Sequence, residues 1–351
     1  MAEEGFFPSF KVDVEKILGA ITRNGYTKVM LQGPEGMKRG LLALAEVLEE
    51  RSMAYVWVDG EPCYGACDHA GERGEVLGVD ALLHLGHSDI PSMERDRSVP
   101  IHFFPVEMRG ESEMIQGGLG RIISRLSGKK VSLFTTIQHM TLLVEIRDRL
   151  RKAGLKVHIG EPGTREQYPG QVLGCSFSSA DDLPGDVDAL IFIGTGKFHP
   201  LGLAMASRRE VHTMNPLTGE VGIVGKEDLD RMLRSRFGHI NRFKEVLSTG
   251  EMVGIVIGFK PGQRRVALGE NLQDTLKEKE IRTKMVVMDH MDPMKLKSLG
   301  LRLIVSTACP RIALDDSRRY SAEELIVLTP VELRIALGLK SWSDYAFDAE
   351  W

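Results

Sequence analysis

The sequence predicts an α/β fold of three pseudo-equivalent domains, each a mainly parallel four-stranded sheet with flanking helices, the three arranged as a triangle. Three observations carry this expectation. Short apolar runs recur in the same order three times along the 351 residues. A helical pattern separates the first and second run of each set, and every set holds a cysteine just beyond the end of a strand.

The first set comprises residues 27–34 (TKVMLQGP), 54–60 (AYVWVDG) and 80–89 (DALLHLGHSD). The second comprises residues 131–138 (VSLFTTIQ), 156–162 (KVHIGEP) and 188–197 (DALIFIGTGK). The third comprises residues 253–260 (VGIVIGFK), 283–290 (TKMVVMDH) and 301–310 (LRLIVSTACP). A fourth run closes each set, at 101–107, 210–216 and 324–330. The runs are rich in Val, Ile and Leu and nearly continuous, as in strands buried on both faces. Residues 38–51, 141–153 and 263–279 lie between first and second runs. Helix formers dominate them, with leucines or valines at spacings of three and four. Strand, helix, strand at this length reads as βαβ units with parallel pairing. Domain boundaries therefore fall near 110 and 222, giving segments 1–110, 111–222 and 223–351. No Ser/Gly-rich linker separates them, so tight packing between domains is expected.

An apolar share of 42% and a charged share of 27% are those of an ordinary globular chain. A net charge of −4 argues against direct, wholesale wrapping of nucleic acid, though not against a local basic pocket. No apolar run approaches the roughly 20 residues that span a bilayer. The start MAEEGFFPSF is acidic and lacks a basic region before an apolar core, unlike a secretory signal. The expected location is cytoplasmic, where the four cysteines stay reduced. They are then either small buried apolar residues or ligands.

Cys67 lies in GEPCYGACD, Cys175 in PGQVLGCSF and Cys309 in VSTACPR. Open α/β sheets place ligand sites beyond the carboxyl ends of their strands. Cysteine is also a common buried residue, but the neighbours Gly65, Gly174 and Pro310 are loop formers. Structural zinc prefers four ligands supplied as close pairs, and here only Cys63 and Cys67 are close. Three thiolates from three domains suit a cubane iron–sulfur cluster with one iron left open. Cys63 is then a spare, a bystander or a substitute. The C-x3-C-x2-C pattern of conventional S-adenosylmethionine radical enzymes is absent, because Ala70 stands in the third place.

Four further features are weaker. GTGKFHP, with Lys197 and His199, could line a pocket or receive a protein substrate, but Phe198 stands where a phosphate loop has Ser or Thr. LQGPEGMKRG at 31–40 reads as a strand-to-helix turn that needs glycine's freedom. His84, His87 and His102 sit on or beside apolar strands and read as hydrogen-bonded core histidines. The aromatic tail SWSDYAFDAEW is expected to pack, across a dimer interface, rather than fray.

Five segments together resemble one family. These are YGACD (64–68), GQVLGC (170–175), IGTGKFHPLGLA (193–204), STACPRIALDD (306–316) and LTPVE (328–332). They resemble the diphthamide-synthesis family, the 2-(3-amino-3-carboxypropyl)histidine synthases in their single-chain archaeal form. The resemblance implies a homodimer of three-domain chains, each holding a 4Fe–4S cluster through Cys67, Cys175 and Cys309. It implies cleavage of S-adenosylmethionine to a 3-amino-3-carboxypropyl radical, which adds to C2 of a histidine imidazole in translation elongation factor 2. An electron donor must also dock. Imidazole C2 is a poor nucleophile for ordinary alkyl transfer, so a radical route is chemically sensible. Arg311 is the first candidate for the substrate carboxylate, and Gln263 for its amino-acid or adenosine part. Quinolinate synthase, also with three pseudo-related domains and three cluster cysteines, is the nearest rival enzyme. A non-catalytic, cluster-bearing electron-transfer subunit is the rival from another class.

Overall fold

A computed structural model describes residues 6–93, 99–109 and 112–346. The chain divides into two compact units. One comprises Met1–Val172, Ser178–Gly196 and His212–Ile223; the other comprises Leu173–Phe177, Lys197–Val211 and Val224–Trp351.

The first unit begins with β1 (Phe10–Lys11) and α1 (Val14–Asn24), which Asp13 caps by accepting from the Lys16 amide. Strand β2 (Lys28–Gln32), α2 (Lys38–Ser52), β3 (Tyr55–Val58), α3 (Gly71–Val76), β4 (Ala81–Leu85) and β5 (Ile101–Phe104) follow, with β6 (Glu107–Met108) pairing antiparallel to β1. The sheet order is β3-β2-β4-β5, parallel throughout. One face packs on α1 and α2 through Ile17, Ile21, Leu41, Leu44 and Leu48; the other, with Met30 and Leu82, packs on Ala70, Val79 and Val99. Burial on both faces explains why these runs read as continuous rather than alternating.

Helix α4 (Ser112–Leu126), β7 (Lys130–Thr135), α5 (Met140–Lys152), β8 (Lys156–His158), β9 (Ala189–Ile193), α6 (Phe198–Ser207), β10 (Val211–Met214) and β11 (Val221–Val224) come next. Their sheet has the order β8-β7-β9-β10-β11. It has five strands rather than the expected four, because the chain turns back after β10, with Asn215 N–H donating to Glu220 O, and adds an edge strand.

The rest of the chain supplies α7 (Lys226–Leu247), β12 (Val253–Gly258), α8 (Val266–Glu278), β13 (Thr283–Met288), α9 (Pro293–Ser298), β14 (Leu303–Ser306), α10 (Pro310–Leu314), α11 (Ser317–Ala322), β15 (Ile326–Leu328) and α12 (Pro330–Ala336). The sheet runs β13-β12-β14-β15, all parallel. Every residue of β12 is buried. Ile255 and Ile257 face α7, α8 and α12, while Val256 faces Leu296, Ala313 and Tyr320 of α9, α10 and α11.

All three sheets share one strand order, second–first–third–fourth, which is the topological content of the threefold sequence pattern. Two of them share a finer device. Asp80, before β4, accepts from the Thr27 and Lys28 amides, and Asp188, before β9, accepts from the Lys130 amide.

Candidate functional site

In the first unit, Cys67 lies in a single 3₁₀ turn, Ala66–Asp68, in the loop that follows β3. Its thiol folds back over Gly65, where a Cβ would sit 3.4 Å from the sulfur. The loop has little regular backbone structure, so side chains hold it. Lys38 Nζ donates to Asp59 O at 2.7 Å and Glu61 O at 2.6 Å. Buried Gln32 donates from Nε2 to Asp59 Oδ2 at 3.0 Å and Asp68 O at 3.1 Å, and its Oε1 accepts from the Ala70 amide at 3.1 Å. Cys63 is buried, and that burial, followed by the charge of Asp68, pushes its thiol up to about 12. It stays protonated at neutral pH, whereas Cys67 is partly exposed.

His84 and His87 meet the core reading in part. His84 is fully buried, bonded to Gln32 Oε1 through Nδ1 at 2.8 Å and to His87 Nδ1 through Nε2 at 2.9 Å. Burial pulls the His87 imidazole down to about 4 and that of His84 well below its usual range. His102 bonds to the Tyr26 hydroxyl at 3.0 Å. Sequence reasoning missed that Cys63, His84 and His87 gather at one point. The signal was there: H-x2-H at a strand end, with an extra cysteine two loops away.

In the second unit, the Cys175 loop and the Cys309 helix come together. The loop is a tight turn closed by the Leu173 amide donating to Ser176 O at 2.9 Å. It is anchored by Phe177, whose ring lies against Gly202 of α6 so closely that a Cβ there would sit 2.2 Å from Cζ. Cys309 is the N-cap of α10, with extended backbone (φ −64°, ψ 130°) and Pro310 at the first helical position, where proline's fixed φ suits a helix start. Arg311 joins the two. A Cβ on Gly174 would lie 3.1 Å from Arg311 Cδ and 3.4 Å from Phe198 Cε1, and the guanidinium lies 4.4 Å over the Phe198 ring. Arg311 also pairs with Asp315 at 2.8 Å. Burial raises the Asp315 carboxyl against the pull of that arginine.

His199, in the first turn of α6, is drawn down to about 4 by burial and then by Arg311, so it is a neutral imidazole at pH 7. Gln263 is buried in the 3₁₀ turn Pro261–Gln263, three residues before α8 begins rather than at its start. Its carbonyl and Cβ, together with Ala308 Cβ, close over Gly258 at the end of β12, next to Cys309. Lys197 is exposed at the N-cap of α6 and lines a cavity of about 330 Å³ with Arg231, Asp315 and Arg318. Arg311, Gln263, His199 and the two cysteines of this unit thus gather at the carboxyl end of one sheet. Phe198 and Asp315 are members that the sequence reading did not pick out.

The helix bearing Cys309 has a buried brace. Arg236 donates to both Glu332 carboxylate oxygens at 2.6 and 2.7 Å, to Ala313 O at 2.7 Å and to Val327 O at 2.9 Å. Tyr345 of the aromatic tail donates to Glu332 Oε1 at 3.0 Å, and Trp342 packs on Phe237 with ring centroids 5.3 Å apart. The tail therefore packs on its own unit as far as Tyr345; residues 347–351 lie outside the described residues. No disulfide joins the four cysteines. Among the described residues no helix is long and apolar enough to cross a membrane.

Residues 33–346 match the family described as "Putative diphthamide synthesis protein". The chain is 36% identical over 339 residues to the 2-(3-amino-3-carboxypropyl)histidine synthase of Pyrococcus horikoshii, covering 96% of this chain and 93% of that protein. It is 26% identical to the Methanocaldococcus jannaschii synthase, covering 97% and 93%. The crystal structure of Dph2 from Pyrococcus horikoshii with a 4Fe–4S cluster superposes with a TM-score of 0.84 at 35% identity, over 96% of this chain and 93% of that one. The chain belongs to the diphthamide-synthesis family and is an enzyme of the transferase class.

Proposed function

We propose that this protein transfers the 3-amino-3-carboxypropyl group of S-adenosylmethionine to imidazole C2 of a histidine in translation elongation factor 2, the first step of diphthamide formation. The observation that carries this reading is the near full-length match to the Pyrococcus horikoshii synthase, together with the 4Fe–4S cluster named in the crystal structure of Dph2 from that organism. Cys67, Cys175 and Cys309 would hold the cluster. Their surroundings fit it: each thiol is partly exposed, in a loop or at a helix start beyond a strand, whereas Cys63 is buried. When bound, the cluster supplies the electron that breaks the bond between sulfur and the γ-carbon, giving the 3-amino-3-carboxypropyl radical and 5′-methylthioadenosine.

The chain's own residues bind and orient. Arg311, leaving Asp315, offers a planar guanidinium to the methionine carboxylate. Phe198 fixes the plane of that guanidinium from below. Neutral His199 can accept or donate a hydrogen bond without adding charge near the cluster, and Gln263 can meet the amino or adenosine groups. Lys197 faces solvent, where a protein substrate arrives. We further place the enzyme in the cytoplasm as a homodimer of three-domain chains that takes electrons from a separate donor and binds no nucleic acid.

Anaerobic purification tests this. A brown protein with about four irons per chain is expected, losing its colour in the Cys309→Ser variant. Dithionite reduction with S-adenosylmethionine should release 5′-methylthioadenosine. Release of 5′-deoxyadenosine instead would overturn the reaction, and stoichiometric zinc with no iron would overturn the cluster.

A further inference from the structure

We propose that Cys63, His84 and His87 form a second metal site, distinct from the cluster thiols, which takes a borderline-soft divalent cation such as zinc through one thiolate and two imidazoles. One ligand atom from each of the three residues lies within 4.8 Å of the other two. A thiolate with two imidazoles is a donor set that zinc accepts, the fourth position being left to water.

The hydrogen bonds fix which nitrogens face the ion. Both Nε2 protons of Gln32 are used, on Asp59 Oδ2 and on Asp68 O, and its Oε1 already accepts from the Ala70 amide. That oxygen can therefore only accept from His84 Nδ1, 2.8 Å away. A neutral His84 then carries its proton on Nδ1 and a lone pair on Nε2. Metal-ligating histidines are held in just this way, by an acceptor on the nitrogen that faces away from the ion. Asp59 stands behind Gln32 and completes a carboxylate–amide–imidazole relay.

Without an ion, His87 Nδ1–H donates to His84 Nε2 at 2.9 Å. Two imidazole nitrogens on one tetrahedral zinc stand about 3.3 Å apart, given Zn–N near 2.0–2.1 Å. The rings need to part by only a few tenths of an ångström. Protons balance as follows: Cys63 gives up its thiol proton to solvent, and His87 loses the proton on Nδ1 and gains one on Nε2. The Cys63 thiol gives up little in exchange, since its contact to Gly65 O is a long 3.8 Å. His87 is partly exposed and offers a way in. An ion here would tie the loop that presents Cys67 to the end of β4, so that the loop's position would depend on the metal.

The site does not depend on the cluster reading, and the test separates them. In the full-length C67S/C175S/C309S chain, which cannot hold the cluster, cobalt(II) titration should show one equivalent with thiolate-to-metal charge transfer and tetrahedral visible bands, displaced by zinc. Adding Cys63→Ser should abolish the charge-transfer band, and His87→Asn should weaken binding about tenfold or more, with far-UV circular dichroism unchanged. A band that survives Cys63→Ser, or affinity only in the millimolar range, would overturn the site. Should the triple variant not fold, X-ray absorption at the zinc edge of the wild-type protein with one equivalent of zinc decides, since iron does not interfere. A shell of one sulfur and two imidazole nitrogens supports the site, and a shell of oxygen and nitrogen alone overturns it.

Discussion

Cys67 and Cys309 both lie beyond a parallel sheet, yet the chain holds them by opposite means. Cys67 sits in an irregular loop fixed by several separate hydrogen bonds, from the buried Gln32 amide, from Lys38 to two carbonyls and from half-exposed Arg73 to Asp59. Cys309 caps a helix whose Ala313 carbonyl is gripped by Arg236, itself in a fully buried bidentate pair with Glu332. A loop held by many weak bonds can adjust when one is lost. A helix braced by a buried ion pair cannot, because removing one partner strands a charge in a medium that does not solvate it.

The largest expected effect follows from that contrast. Arg236→Met should cost about 3–5 kcal/mol in urea denaturation, because Glu332 is left buried with only Tyr345, the Thr329 amide and its own helix start for company. The double variant R236M/E332L should recover a large part of the loss, since no lone charge then remains. A cost below about 1 kcal/mol for R236M would show that the brace is decorative.

How far all this was legible in the sequence depends on what each feature rests on. Strand runs such as VGIVIG and ALLHL announce themselves, because burial on both faces leaves an unbroken apolar signature. The extra strand β11 did not, because VGIV is half exposed at a sheet edge and short enough to pass for a loop. Cys67, Cys175 and Cys309 were visible through their glycine and proline neighbours. The meeting of Arg311 with Gly174 and Phe198 was not, since contacts between residues more than a hundred positions apart leave no local pattern. The Arg236–Glu332 pair was equally silent: a helix of charged residues, KEDLDRMLRSR, gives no hint of which one turns inward.

The two units also differ in how acid should reach them. Among the described residues, burial lowers the imidazoles of His84, His87, His102 and His139 in the first unit and that of His199 in the second. His139 is the cleanest case, buried at the start of α5 with its imidazole pulled down to about 4 by burial. Its folded pKa lies below the usual histidine value, so the unfolded chain binds the proton first. The neutral form's stability is therefore present above about pH 6.5 and is lost as pH falls toward 4. For one such group, going from pH 7.5 to 5.5 removes about 1.3 kcal/mol. Hydrogen exchange should accordingly show the first unit losing protection over this range before the second, and His139→Gln should flatten its pH slope by up to one proton. Equal loss in both units would contradict the contrast.

The smallest effect concerns the device that the first two sheets share and the third lacks. Asp80 and Asp188 each reach back to the amides that open the first strand of their sheet, whereas the corresponding place before β14 is held by Leu301 and Arg302. Both carboxylates are exposed, so solvent screens much of what they contribute. Asp80 accepts two amide protons and the Thr27 hydroxyl, and the Lys28 and Thr27 amides hold its carboxyl below the usual range. Its contribution is thus complete at neutral pH and fades only as pH falls through that lowered value. Asp80→Asn should cost about 0.5–1 kcal/mol at pH 7, and Asp188→Asn, with one amide instead of two, should cost less. The order of the two losses is what matters: it scales with the number of amides each carboxylate satisfies only if strand registration in these sheets is set locally, one side chain for each first strand. Were Asp188→Asn the more costly, the likeness between the two sheets would be one of sequence without shared mechanics.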